Sequence, residues 1–157
     1  MWWRRLRYVL LLTSLCAIAT CPAAKRSCTA KSRAREADQL LEYLADRVAA
    51  AITATGRVPP TAAGPTPSPA CCEQGGECSR DDATWAAPGW QALAFSIDDD
   101  YRYTYSYVPD ASGRSAIVRA VGDVDCDGET SLFEVEIAIG GSGDGVTRTW
   151  TRNNPYE

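Results

Sequence analysis

The chain changes its hydrophobic period once, and that switch limits the folds open to it. From Ser32 to Thr55 the apolar residues Ala37, Leu40, Leu41, Leu44, Val48, Ala51 and Ile52 recur every three or four positions, the spacing of one face of an α-helix. From Tyr101 the period is two: Tyr101, Tyr103, Tyr105 and Tyr107 alternate with Arg102, Thr104 and Ser106, so one face of a strand is aromatic and the other polar. An apolar helix stripe and alternating strands each need a partner surface. Together they predict an α+β domain in which one long amphipathic helix is laid across an antiparallel sheet.

Punctuation residues divide the chain further. Gly56, ahead of Pro59 and Pro60, stops the helix over 32–55. The connector 56–70 is rich in proline and has neither helix nor strand pattern. A cysteine loop over 71–78 follows. The sheet is expected within 92–151: a segment Ala92–Ile97, the tyrosine strand, a turn from Pro109-Asp110 to Gly113, a strand Ser115–Val121, a third with Phe133, Val135, Ile137 and Ile139 on one face, a loop Gly140–Gly145, and a last strand Val146–Thr151. Strand propensity and cross-strand aromatic packing account for the tyrosine ladder without a ligand. A carbohydrate or peptide platform is the functional alternative.

Charge separates a basic head from an acidic body. The chain's net charge is −4, yet the residues before Glu36 hold eight of the 16 basic groups and none of the 20 acidic ones, leaving −12 on 36–157. That body has no lysine, which disfavours nucleic acid as a partner and favours divalent cations. The chain has no histidine at all, which excludes Ser-His-Asp, Cys-His and His-metal sites and leaves carboxylates, thiols and tyrosines for any catalysis. A non-enzymatic role is therefore expected.

In the head, Arg4, Arg5 and Arg7 precede an apolar run Val9–Ala19 too short to span a bilayer before Pro22, Lys25 and Arg26 interrupt it. Residues 1–21 read as a secretory signal peptide or lipoprotein leader, 22–31 as a basic linker and 32–157 as the domain. Ala17-Ile18-Ala19 fits a signal-peptidase site, Ile18-Ala19-Thr20-Cys21 approximates a lipobox with Cys21 as the lipidation candidate, and an uncleaved anchor is the third outcome. Each exports the remainder to the periplasm, an outer-membrane lipoprotein pool or the cell surface, with membrane contact only through the leader or its lipid.

Export fits the cysteines. Beyond the leader stand Cys28, Cys71, Cys72, Cys78 and Cys126, an odd set in an oxidising compartment. A local disulfide from Cys78 to Cys71 or to Cys72 is expected. Zinc is disfavoured, because the spacing lacks paired C-x2-C arms and no histidine completes a tetrahedron.

One motif carries chemistry. Asp123-Val124-Asp125-Cys126-Asp127-Gly128-Glu129, running on to Glu134, satisfies D-x-D-x-D-G-x5-E, a calcium-loop pattern. Alternate carboxylates converge on a cation that takes six to eight oxygens, and the glycine permits the turn. The ligand set expected is Asp123, Asp125, Asp127, Glu129 through its carbonyl, and Glu134. Strands flank the motif where an EF-hand has helices, so the expectation is a lone calcium loop in a hairpin. Asp98-Asp99-Asp100 reads as a solvated or capping run.

In order of features the chain resembles type IV pilin-like proteins and pseudopilins, notably a deltaproteobacterial pilin-like group, over about residues 32–157. The resemblance rests on Arg35-Glu36-Ala37 near the helix start, Gly64-Pro65-Thr66-Pro67, Cys71-Cys72 with Cys78, Trp85, Trp90-Gln91-Ala92-Leu93-Ala94-Phe95-Ser96-Ile97-Asp98-Asp99, the tyrosine ladder, and Ala120-Val121-Gly122-Asp123-Val124-Asp125-Cys126-Asp127-Gly128 with Ser131-Leu132-Phe133. It implies a pilin-like helix-on-sheet fold, no catalytic residues, a bound calcium, and other pilin-like subunits or envelope proteins as partners. The front departs from that pattern, lacking the prepilin cleavage motif with its Glu and the long apolar stalk. The function expected is a non-enzymatic accessory subunit of a type IV pilus or type II secretion-like system. A calcium-dependent envelope adhesion or ligand-binding module is the alternative.

Overall fold

A computed structural model describes residues 22–141 and 145–157, with side chains from residue 29 on. Helix α1 spans Pro22–Thr55. Its inward face is Ala34, Ala37, Leu41, Leu44, Ala45, Val48 and Ile52, all buried, at the three-and-four spacing of one helical stripe. It ends where Gly56, at φ +73°, donates its N–H to the Ile52 carbonyl at 2.8 Å, a left-handed stop that costs glycine little.

Five antiparallel strands follow in the order β1 (Ala63–Thr66), β2 (Thr104–Pro109), β3 (Ser115–Gly122), β4 (Ser131–Ile139) and β5 (Val146–Asn153). Register puts whole rows on one face: Tyr105 opposite Ala120, Ala120 opposite Phe133 and Phe133 opposite Arg152, with Tyr107, Val118, Val135 and Trp150 in the next row. All but Trp150 and Arg152 are fully buried. α1 covers this face over β3 and β4. Across β5, Arg148 pairs with Glu42 at 2.6 Å and Asp46 at 2.7 Å, and Arg152 with Asp38 at 2.9 Å. Asp38, Glu42 and Asp46 recur every fourth residue, so one helical stripe meets the arginines of one strand face. The exposed pairs set orientation more than stability.

The remaining apolar face, over β1 and β2, is covered by the segment between them. It carries 3-10 turns at Cys71–Gln74 and Asp82–Trp85 and a short helix, α2 (Pro88–Leu93). Trp85 stacks edge-on against Trp90 at 5.4 Å and Phe95 at 5.4 Å, with Tyr101 and Tyr105 completing the cluster. Trp90 Nε1 donates to Thr66 Oγ1 at 2.9 Å and Arg47 Nε to the Leu93 carbonyl at 2.8 Å. The cluster is thereby tied to both β1 and α1.

The pilin-like architecture expected, a helix 32–55 packed on a sheet within 92–151, is corrected. The chain is α+β, with one long helix and a five-stranded antiparallel sheet, but packing of that helix on the sheet is seen only from Ala34 onward. Residues 22–31, expected as a linker, are helical, since Ala, Lys and Arg sustain a helical run. The connector contributes edge strand β1, where Pro65 is tolerated because an edge strand leaves one side unpaired. Ala92–Ile97 is no strand: Pro88 opens a helix there, and Leu93, Phe95 and Ile97 are buried in the core cluster without a ladder.

Gly89 marks the tightest contact in this layer. A Cβ there would stand 2.3 Å from the Ala62 carbonyl oxygen and 2.8 Å from Ala63 Cβ, whereas one at Gly141 would meet nothing within 4 Å. Gly89→Ala is expected to lower the urea unfolding free energy by about 1–3 kcal/mol, with Gly141→Ala close to neutral; equal effects would contradict this packing.

Candidate metal centre

The motif loop is the hairpin between β3 and β4, and packing beneath it sets where it starts. Tyr103 lies over Gly122, where a Cβ would come within 2.7 Å of its ring, and meets Phe133 edge-on at 5.8 Å. Buried Ser131 donates its hydroxyl to the Gly122 carbonyl at 3.1 Å. The hairpin base is thus anchored in the core, and the acids rise from it towards solvent.

Above the base the loop folds around Asp123. One carboxylate oxygen accepts the Asp127 N–H at 3.0 Å and the other the Gly128 N–H at 3.0 Å. Asp127 accepts the Glu129 N–H at 2.8 Å, and Gly128 takes φ +98°, which a side chain would resist. One carboxylate oxygen from each of Asp123, Asp125 and Asp127 lies within 4.8 Å of the others. Two oxygens on one calcium at 2.3–2.6 Å stand at most about 5 Å apart, so the three can share a hard cation. All three reach solvent, which lets water complete the shell.

The remaining expected ligands divide. Glu129 stays on the loop, exposed. Glu134 does not join the three aspartates: it lies inside β4 opposite Arg119 and accepts from Arg119 Nε at 2.6 Å. Strand alternation sends it to the polar sheet face, where an EF-hand's twelfth residue would instead open a helix and swing inward. A residue outside the motif feels the loop's charge. The Glu157 carboxyl is pushed above its ordinary range by desolvation and then by the negative charges of Asp127, Glu129, Asp125 and Asp123. Nothing in the local pattern signals it, because the chain's tail meets the loop only in the folded state.

Disulfides and an arginine clamp the site. Cys71 bonds Cys78, and Cys72 bonds Cys126 inside the motif. The first is one of the two local pairings expected; the second reaches across 54 residues and has no signal in spacing. Bonded cysteines offer no thiolate to zinc. Cys21 and the cleavage sites lie outside the described residues, and the Cys28 side chain likewise. From α1, Arg33 Nη1 donates to the Val124 carbonyl at 2.5 Å. Beside it Glu36 accepts from Arg102 through the backbone N–H at 2.6 Å and Nη1 at 2.8 Å, and Arg102 also pairs with Glu77.

The tyrosine ladder, Trp85 and Trp90 do not form a surface. Tyr101, Tyr103, Tyr105, Tyr107, Trp85 and Trp90 are buried, so a platform for carbohydrate or peptide on them is excluded. Asp98 and Asp99 are exposed, and Asp100 accepts the Arg80 N–H of the loop at 3.3 Å rather than capping the 92–97 segment. Among the described residues no helix is long and apolar enough to cross a membrane. Compared with known protein families, with characterised proteins and with solved structures, the chain finds no match.

Burial pushes the Glu36 carboxyl above its ordinary value of 4.5, and the bonds from Arg102 only partly oppose this. A carboxyl raised in the folded state holds its proton more tightly there than when unfolded, so stability falls as pH rises through that window. Relative to Glu36→Gln, the wild type is expected to lose unfolding free energy from about pH 4.5 up to the raised value and to level off above it. Denaturant titrations across pH check this; a wild type that gains stability relative to Glu36→Gln as pH rises would reverse the assignment.

Proposed function

We propose that the chain is a non-enzymatic, exported structural or accessory subunit of a pilus- or secretion-type envelope assembly, with calcium holding the Asp123–Glu129 loop. The observation that carries the cation is the convergence of Asp123, Asp125 and Asp127 within 4.8 Å. Calcium is the ion this donor set suits: the ligands are all oxygen, the loop is solvent-facing, and a softer ion would prefer the thiolate or imidazole that the site lacks. The two disulfides favour an oxidising, exported setting. The resemblance in feature order supports partners among pilin-like subunits or other envelope proteins, and the acidic body argues against nucleic acid.

A structural ion stabilises only the folded state, so it acts by mass action. At a hundredfold excess over Kd, calcium is expected to add about 2.7 kcal/mol, on the order of 5–10 °C in Tm for a domain of this size. Thermal unfolding with calcium and then with chelator measures it. Asp125→Asn with Asp127→Asn should abolish the shift and Glu134→Gln should preserve it; a wild type indifferent to calcium would defeat the reading.

A further inference from the structure

We propose that the Cys72–Cys126 disulfide is a reductant-accessible exchange site whose state governs the cation loop, while the neighbouring Cys71–Cys78 bond is a protected structural link. The second clause of that coupling, control of cation binding, rests on the calcium reading above.

The two bonds leave adjacent residues for opposite environments. Cys71 and Cys78 are 1% and 5% exposed, whereas Cys72 is half-buried and Cys126 stands exposed between Asp125 and Asp127. Thiol–disulfide exchange needs a thiolate to approach a sulfur directly, so access decides which bond reacts. An open depression lined by Arg33, Gly75, Gly76, Arg102 and Asp125 lies beside Cys126, wide enough for an incoming sulfur. Glu77 lines it as well, and Arg102 is already paired with Glu36 and Glu77, so the depression offers an incoming thiolate access rather than an electrostatic pull.

The exchange itself balances with a dithiol reductant. One thiolate of the dithiol attacks Cys126 Sγ, the Cys72–Cys126 bond breaks, and Cys72 leaves as a thiolate that takes a proton from solvent. The second thiol of the reductant then attacks the mixed disulfide and releases Cys126. Two electrons pass to the protein, and the reductant becomes a disulfide.

Reduction removes the covalent tie between the loop and the Cys71–Gln74 turn. What then holds the loop is Asp123's pair of backbone contacts, the Arg33 contact to Val124 and burial of the Val124 side chain. A looser loop must be ordered when the ion binds, and that entropy weakens affinity. By linkage, bound calcium must in turn protect the disulfide from reduction by the same factor.

Graded dithiothreitol on the oxidised full chain, followed by alkylation and peptide mapping, tests the exchange site. Cys72 and Cys126 should label together at a reductant level that leaves Cys71 and Cys78 bonded. Labelling of Cys71 and Cys78 first, or of all four at once, overturns the proposal. Calorimetric calcium titration of the oxidised chain, the selectively reduced chain and the Cys72→Ser/Cys126→Ser variant should show about tenfold weaker binding in the latter two. Equal affinities overturn the coupling. A chain that binds no calcium in either state overturns the calcium reading and the coupling with it, and the labelling order then decides the exchange site by itself.

Discussion

The need to cover one face of the sheet organises this molecule. Tyr105, Tyr107, Val118, Ala120, Phe133 and Val135 lie on that face in register and are fully buried, which puts a large apolar area at stake at about 25 cal/mol per Å². α1 covers β3 and β4, and a single helix about 10 Å across spans only about two strands. The rest is covered by an irregular layer whose aromatic residues, Trp85, Trp90 and Phe95, supply bulk where no second helix does. The short helix, the left-handed turn at Ala94 and the edge strand from the proline-rich connector serve that cover.

At one end of the same face the cover and the sheet meet the acidic hairpin. Gly122 lets Tyr103 pack under its base, Cys72 reaches it from the irregular layer, and Arg33 reaches it from α1. Three separately folded elements therefore converge on one loop. Three carboxylates within 4.8 Å of one another repel when charged. The disulfide and the arginine contact hold the acids together against their repulsion, an arrangement that could hold a cation.

Much of this was legible in local pattern. The buried face of α1 follows its three-and-four spacing, Gly56 ends it, and the tyrosine alternation marks one inward face, although only Tyr105 and Tyr107 lie in β2 and Tyr101 makes an isolated bridge to Cys78. The Asp123–Gly128 loop is readable because its carboxylates are neighbours in sequence and the glycine has a backbone reason to be there. Glu134 misled for a matching reason: the motif assumes a helix after the loop, and here strand geometry turns that carboxylate towards Arg119. Ala92–Ile97 misled because Leu93, Phe95 and Ile97 alternate as a strand would, while their partners are rings rather than a neighbouring strand.

The sequence by itself determined the α+β class, the position of the acidic hairpin and the absence of histidine chemistry, since each depends on residue type or on spacing within a few positions. Only the tertiary structure decided which cysteine reaches Cys126, that Arg148 and Arg152 face the acids of α1, that β1 comes from the connector, and that Glu157 feels the loop's charge. Those pairings join residues far apart in the chain. Their energies depend on distance in space, which no local period encodes, and they form only once burial of the aromatic face has brought the elements together.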